Sequence, residues 1–368
     1  MKAYPLKTID LEKAKKLQFK LVDIIHQHFD GYEFLQGGDY GVVPGLGRPR
    51  YTEKVEKALA QFFEAEDVVL VRGAGTGAIR NVMNTMLKSG DKILVHKAPI
   101  YPTTNVIVES MGLDPVYIDF NYIKETDSTI VSKCSFALIQ HSRQKLDDSY
   151  DLEEVITELK KMNSNLKILV DDNYVVMKSE KIGVQLGADV SAFSLFKLLG
   201  PEGIGCVAGS KTIIDDIRKI NYSGGSQVQG YEAMDALRSL VYAPVSLAIQ
   251  AEVGNEVVSR INNGEINGVK SAFIANAQSR VILVEFEEAI AKKVLKYSTE
   301  LGAAPYPIGA ESRYEIAAMF YRVSGTFLKS DPKLIDYMIR INPMRSGADT
   351  VIRVLKDAVD KVMREGSK

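Results

Sequence analysis

Residues 191–205 read SAFSLFKLLGPEGIG, and this stretch decides how the rest of the chain is interpreted. It is apolar and strand-like, it contains one lysine, Lys197, and glycine and proline interrupt it soon afterwards. Apolar neighbours disfavour a charged ammonium and favour the neutral amine, which is a nucleophile. The pattern therefore indicates a lysine that forms a Schiff base with a carbonyl compound. The alternative from this window alone is a lysine at a strand end whose ammonium reaches solvent.

Composition limits the possible functions. The chain has 368 residues, which is long enough for a large domain and a smaller one. Its net charge is −1, which gives no reason to expect a nucleic-acid or acidic-membrane partner. We expect no membrane span and no metal site, since no apolar run approaches about 18 residues and the four histidines lack ligand spacing. Two cysteines in apolar contexts and an N-terminus without a signal-peptide core favour the cytoplasm.

Helices and strands alternate over the middle of the chain. Residues 1–50 are predicted to form an N-terminal helix and a glycine-rich arm, and a helix capped by Thr52 follows. From Asp67, seven short apolar runs are separated mostly by helical stretches, which predicts an α/β fold with a mostly parallel sheet. We expect a large domain at 51–245 and a smaller α+β domain at 246–368. The predicted strands are Asp67–Arg72, Lys92–His96, Asp114–Phe120, Phe136–His141, Lys167–Asp171, Val190–Phe196 and Ile204–Ala208.

The first strand ends in a glycine-rich turn. Residues 72–78 read RGAGTGA, and small residues between a strand and a helix allow backbone amides to approach an anion. The same letters fit a degenerate dinucleotide fingerprint, but that interpretation needs an acidic residue at the next strand end, where the chain has LVHK instead. A tight turn without a ligand is the other alternative.

Three further strand ends carry polar or aromatic side chains. Tyr101 lies between prolines and could stack on an aromatic cofactor, although a lone tyrosine is more often a packing residue. Asp171 follows a buried run, where a carboxylate needs a cationic partner; a helix cap or solvated loop suits Asp172 better. Ser194 lies three residues before Lys197 and can bind phosphate. Together with the glycine-rich turn, these residues are the set that pyridoxal 5′-phosphate requires.

The sequence resembles the fold-type I pyridoxal-phosphate enzymes from about Arg50 to its end. Within them it is most similar to the class V aminotransferase-like branch that includes the bacterial YhfS-like proteins. The S-x-x-K spacing of Ser194 and Lys197 matches that family, as does Tyr174, an aromatic residue three positions after Asp171. The resemblance implies Lys197 as the catalytic Schiff-base lysine, Asp171 as the partner of the pyridine nitrogen, Tyr101 as the stacking ring, Tyr174 near the ring hydroxyl, and Gly75, Thr76, Gly77 and Ser194 as phosphate ligands.

The resemblance also implies substrate-binding residues and a partner subunit. Arg340 is similar to the family's C-terminal-domain arginine that binds a substrate carboxylate, and Arg143 is the second candidate. Tyr222 begins a segment similar to the one that reaches the cofactor phosphate of a partner subunit; an irregular surface loop is the alternative. The arm at 37–47 likewise needs a surface to lie against. A homodimer with shared active sites is therefore expected.

The reaction is less determined than the fold. We predict an aminotransferase acting on an amino acid or a related amine, because no dedicated acid for a leaving group stands out. The alternative is a lyase that eliminates a β- or γ-substituent. Residues 138–143, LIQHSR, lack the Asn-Pro of class I aminotransferases and are closer to the cystathionine γ-lyase relatives. A regulator that merely binds a metabolite, and a dinucleotide oxidoreductase, are the remaining alternatives.

Overall fold

The computed structural model describes residues 3–275, 280–309, 311–323, 328 and 331–366. The chain forms two compact units. The larger comprises Glu12–Ser142 and Ser149–Pro244, and the smaller comprises Met1–Leu11, Arg143–Asp148 and Val245–Lys368.

The larger unit is built on a seven-stranded sheet in the order β1-β7-β6-β5-β4-β2-β3. Four neighbouring pairs are parallel, and β7 runs antiparallel to both β1 and β6. The carboxyl ends of the other six strands therefore meet at one edge, where ligands bind in sheets of this type. The strands are β1 (Asp67–Arg72), β2 (Lys92–His96), β3 (Asp114–Ile118), β4 (Phe136–Gln140), β5 (Lys167–Asp171), β6 (Val190–Ser194) and β7 (Ile204–Gly209).

Helices cover both faces of this sheet. One face packs on helices α3 and α7 through residues such as Ile79 and Ile214, and the other packs on α6 through Ile156. Both faces are apolar, which is why the strands are apolar along their whole length. The helices up to this point are α1 (Leu11–His28), α2 (Arg50–Phe63), α3 (Ala74–Met86), α4 (Pro102–Ser110), α5 (Ser128–Val131), α6 (Leu152–Met162) and α7 (Lys211–Ile220).

The smaller unit has an antiparallel four-stranded sheet in the order β10-β11-β9-β8. Helices α9 and α11 supply residues to its apolar core, among them Val294 and Leu355. The long helix α8 (Gly230–Asn262) contains Pro244, at which the two units divide. The remaining elements are β8 (Val269–Ile274), β9 (Ile282–Phe286), α9 (Ala291–Glu300), β10 (Met319–Arg322), α10 (Leu334–Tyr337), β11 (Met338–Asn342) and α11 (Ala348–Gly366).

The α/β class and the mostly parallel seven-stranded sheet are confirmed, and two local predictions change. Thr52 does not cap α2, because the helix begins at Arg50 and the Thr52 hydroxyl donates to the Val228 carbonyl at 2.9 Å. Strand β6 ends at Ser194, so Lys197 lies beyond it.

Candidate active site

Lys197 lies on a short turn after β6. Residues Phe196–Leu198 form a single 3-10 turn, after which Gly200 N donates to the Leu195 carbonyl oxygen at 2.9 Å. A glycine permits this close return, because a Cβ at Gly200 would lie 2.7 Å from that oxygen. The Lys197 Nζ atom is 3.8 Å from the centre of the Tyr174 ring, whose face attracts an ammonium. The lysine is therefore half-buried and oriented by an aromatic contact.

Tyr174 owes its position to a tight turn that follows β5. Its φ angle is 68°, and that of Met177 is 60°, both in the left-handed region that non-glycine residues rarely adopt. Conformations of this kind cost about 1–3 kcal/mol each and are concentrated at functional sites. The turn brings the Tyr174 ring against the lysine that follows the neighbouring strand.

Asp171 is the last residue of β5 and lies on the same sheet edge as Lys197. Its carboxylate is 8% exposed and accepts hydrogen bonds from the Asn173 backbone N–H at 3.0 Å and the Asn173 side-chain amide at 2.7 Å. Burial raises the pKa of the Asp171 carboxyl, and the bonds from Asn173 and the charge of Lys197 oppose that rise. A cation placed next to this carboxylate would favour its ionised form.

Asp172 has a different environment, which corrects the expectation of a cap or solvated loop. It is fully buried, its Oδ1 atom lies 2.7 Å from His141 Nδ1, and its Oδ2 atom accepts from Gly183 N at 2.9 Å. Successive strand residues point to opposite faces. Asp171 thus shares the face of Leu169, which packs towards α3, whereas Asp172 shares the face covered by α6.

The turn between β1 and α3 forms a cradle of backbone at the helix N-terminus. Gly73 N and Ala74 N both donate to the Gly203 carbonyl, at 2.8 and 3.0 Å. Gly75 and Gly77 cannot carry a side chain here, since a Cβ would lie 2.4 Å from the Asn173 amide and 2.1 Å from a backbone oxygen, respectively. The bare backbone at this N-terminus is suited to an anion.

The environment of the Ser194 hydroxyl indicates whether a phosphate fits at this helix N-terminus. Its side chain is 3% exposed, and within the described part of the chain its hydroxyl has no hydrogen-bond partner. Ser194 N donates to Asn173 Oδ1 at 3.1 Å, and across the sheet Ser194 pairs with Gly205, where a Cβ would lie 2.2 Å from the Ala74 oxygen. A buried hydroxyl without a partner is costly, and a phosphate oxygen at this position would supply one. The residues present therefore fit the phosphate group.

Tyr101 is bonded to the last residue of β4, next to the strand that ends in Asp171. Its backbone N–H donates to Gln140 Oε1 at 3.1 Å, and Gln140 pairs in register with Asp171. Tyr101 is half-buried and directly precedes α4. The structure thus brings Tyr101, Asp171 and Lys197 to neighbouring strand ends.

Tyr222 belongs to the same unit as Lys197 but to a different cavity, and Arg340 and Arg143 belong to the smaller unit. Tyr222 is 76% exposed and lines a separate cavity of about 420 Å³, whose lining includes none of the residues around Lys197. In the smaller unit, the Arg340 guanidinium lies 4.1 Å over the Tyr321 ring and its Nε donates to a backbone carbonyl at 2.8 Å. In the same unit, Arg143 is buried and donates to the Tyr4 carbonyl at 2.7 Å. Their roles stay predictions.

The sequence interpretation did not identify Asn173. Its side-chain amide donates a hydrogen bond to the Asp171 carboxylate, and its Oδ1 atom accepts one from the Ser194 backbone N–H. The same amide lies where a Cβ on Gly75 would be. Asn173 thus connects three of the predicted residues. Its signal was present in the DDNY run, where an amide directly follows two carboxylates at a strand end.

The described residues contain neither a metal site nor a membrane-spanning helix. Among them, no cluster of three or more metal-ligating side chains occurs. No helix in the same ranges has the length and apolarity needed to cross a bilayer. Cys134 and Cys206 are free and buried, and burial raises the pKa of both thiols.

Known proteins resemble the chain along its whole length. The Aminotransferase class-V family matches residues 49–240, and the YhfS-like C-terminal domain matches residues 255–355. YhfS of Escherichia coli is 49% identical over 98% of this chain and 100% of its own. The solved structure of that pyridoxal-5′-phosphate-dependent protein has a TM-score of 0.96 over 98% of this chain and 100% of that chain.

More distant relatives catalyse different reactions. L-methionine gamma-lyase of Fusobacterium nucleatum is 24% identical over 59% of this chain and 56% of its own length. Cystathionine gamma synthase of Xanthomonas oryzae is 14% identical, with a TM-score of 0.71 over 95% of this chain and 98% of that chain, and this likeness concerns the fold alone. The family resemblance and the cofactor predicted from the sequence are confirmed. The chain belongs to the YhfS-like members of the class-V aminotransferase family, fold-type I enzymes that use pyridoxal phosphate.

Proposed function

We propose that the chain is an aminotransferase for an amino acid or a related amine, with Lys197 as its catalytic residue. The observation that carries this proposal is the position of the Lys197 amine, 3.8 Å from the Tyr174 ring centre and within the electrostatic reach of buried Asp171. A nucleophilic amine beside an aromatic ring and a buried carboxylate matches what the cofactor requires on its aldehyde and pyridine sides.

Each of the other residues has a proposed contact with the cofactor. The cradle and Ser194 would hold the phosphate, since the backbone of α3 and an unpaired hydroxyl meet there. Tyr101 would stack on the ring, Tyr174 would donate to the ring hydroxyl, and Asp171 would hold a proton on the ring nitrogen. The residues assigned in this way are Gly75, Thr76, Gly77, Tyr101, Asp171, Tyr174, Ser194 and Lys197, with Tyr222 reaching the phosphate of a partner subunit.

When bound, pyridoxal phosphate withdraws electrons from the bonds at the substrate Cα. Lys197 would act as the base that removes the Cα proton through its Nζ atom. In transamination the same amine would hold that proton and later give it up again as an acid. Asp171 would hold a proton on the ring nitrogen, because a buried carboxylate stabilises an adjacent cation.

A single-turnover reaction tests the proposed reaction. The loaded enzyme is mixed with each member of an amino-acid panel in the absence of any keto acid. We expect one keto acid per active site, loss of the visible absorption band and no free ammonia, because the amino group stays on the enzyme. Continuous release of ammonia with recovery of the band after every turnover would contradict transamination. The Lys197→Ala chain is the matched control and should give neither product.

A lyase that breaks a C–S bond is the second candidate. It is supported by relatives named methionine gamma-lyase and cysteine desulfurase. Elimination requires an acid for the leaving group, and Tyr101, Tyr174 and His141 carry the side chains that could supply it. The ring of His141 is buried and its Nδ1 atom bonds to Asp172, so the two tyrosines are the better candidates. Because elimination needs such an acid and His141 is already bonded to Asp172, transamination remains the preferred reaction.

Arg340 is the proposed partner of the substrate carboxylate. The Tyr321 ring below its guanidinium and the bond from Nε to the Arg322 carbonyl both orient the plane of the guanidinium. An oriented planar guanidinium matches a carboxylate with two parallel hydrogen bonds. Arg143 is the second candidate, although one of its terminal nitrogens already donates to the Tyr4 carbonyl.

We also propose a homodimer with shared active sites. The arm is attached to its own chain through Asp39, whose carbonyl accepts from Gly230 N at 3.0 Å, while the Tyr40 side chain remains 78% exposed. Tyr222 is similarly exposed. We expect a mixture of inactive Lys197→Ala and Tyr222→Ala chains to recover on the order of a quarter of wild-type activity, since half of the dimers have one intact site. A monomer at assay concentration, or no recovery after subunit exchange, would contradict shared sites.

The cytoplasm is the proposed location. Cys134 and Cys206 are buried free thiols, which suits a reducing compartment.

A further inference from the structure

The N-termini of α3 and α4 meet at a pair of threonines. Thr76, in the first turn of α3, has its Oγ1 atom 3.0 Å from Oγ1 of Thr103 in the first turn of α4. Thr103 follows Pro102, which occupies the first position of a nine-residue helix, and Tyr101 precedes them without a side-chain cap. Both helices therefore direct the positive ends of their dipoles towards the same place.

A second observation points to an anion at the start of α3. The Ser194 hydroxyl is buried and lacks a hydrogen-bond partner among the described residues, and its strand neighbour Gly205 abuts Ala74 at the start of α3. One negatively charged group at the start of α3 would give the Ser194 hydroxyl a partner and would meet the positive ends of the two helices.

We propose that Thr103 is a positioning residue for the cofactor phosphate and acts through Thr76. This inference rests on the proposed function, in which Thr76 is a phosphate ligand. A hydroxyl has one proton and two acceptor sites. When the Thr76 proton is donated to a phosphate oxygen, the bond between the two threonines requires Thr103 to be the donor. That donation polarises the Thr76 hydroxyl and fixes its rotamer, and α4 thereby contributes to phosphate binding without a direct contact.

The test compares cofactor forms with and without the phosphate. The full-length chain is freed of cofactor and titrated with pyridoxal 5′-phosphate and, separately, with pyridoxal, and binding is followed by the visible absorption band. We expect Thr103→Val to weaken pyridoxal 5′-phosphate binding by about 3- to 10-fold, as for one lost hydrogen bond, and to leave pyridoxal binding unchanged. Thr103→Ser keeps the hydroxyl and should bind both compounds as the wild type does.

A double variant shows whether the effect passes through Thr76. Adding Thr103→Val to Thr76→Val should produce almost no further loss, because the hydroxyl that Thr103 orients is already absent. Wild-type affinity in Thr103→Val, an equal loss for pyridoxal, or additive losses in the double variant would each overturn the inference and leave the proposed function intact. A wild-type chain that gives no absorption band with either compound would overturn the proposed function itself, and this inference with it.

Discussion

The Lys197→Ala chain is expected to lose at least about 10⁴-fold in turnover, because the proposed function assigns to this one residue both the covalent attachment and the base at the substrate Cα. Borohydride treatment of the wild type should bleach the visible absorption band and fix the cofactor to a peptide that contains Lys197. The variant should bind cofactor more weakly and yield no labelled peptide after the same treatment. Mass spectrometry of the digested protein measures this directly.

The matched control is Lys181→Ala, which removes an exposed lysine from the same unit. It should keep the band, the labelled peptide and the activity. Circular dichroism of both variants verifies that the chains are folded. Full labelling at another lysine in the Lys197→Ala chain would show that the catalytic residue has been assigned incorrectly.

Substitutions at the two adjacent aspartates should have separate effects. Asp171→Asn is expected to keep the covalent cofactor and reduce turnover by about 10²- to 10⁴-fold, because an amide does not hold a proton on the ring nitrogen. Asp172→Ala is expected to lower the free energy of unfolding by about 1–3 kcal/mol, because it leaves the Gly183 N–H and the His141 ring without their buried partner. Its effect on turnover of the folded, loaded chain should be smaller.

Two measurements separate these effects. Chemical denaturation gives the free energy of unfolding of each variant, and turnover is normalised to the amount of bound cofactor. Equal losses of normalised turnover in both variants would mean that the wrong carboxylate was chosen. A large loss of stability in Asp171→Asn with normal turnover would have the same meaning.

The sequence predicts the positions of the strands well, although not every end, because the signals of strands are local. An apolar run followed by Gly75, by Asp171 or by Lys197 can be recognised without information about the rest of the chain. The parallel sheet then brings these ends together, so the candidate site follows from their positions. The prediction that Thr52 caps α2 is wrong for the opposite reason. Its hydroxyl donates a hydrogen bond to the carbonyl of Val228, which is distant in the sequence, and no local pattern reveals this partner.

Some features depend on which face a side chain occupies or on which segments meet. Asp171 and Asp172 are adjacent and chemically identical, and only the packing of α3 and α6 on opposite faces separates their environments. Thr103 has no motif of its own, and its importance comes from a contact with a helix N-terminus earlier in the chain. The proposed role of Arg340 depends on the smaller unit, and that of Tyr222 depends on a partner subunit. Both roles remain predictions.

The antiparallel strand β7 has a consequence for how the protein is made. Strand β1 pairs with β7, and the Gly203 carbonyl just before β7 accepts both N–H groups that shape the cradle. A chain emerging from the ribosome therefore completes strands β2 to β6 before its first strand has a partner. Until β7 has been made, β1 lacks this partner and the glycine-rich turn lacks the Gly203 carbonyl, and their pairing then requires the slow closure of a long loop. Cofactor capture can then begin only late in synthesis, after the segment with Lys197 has already been made.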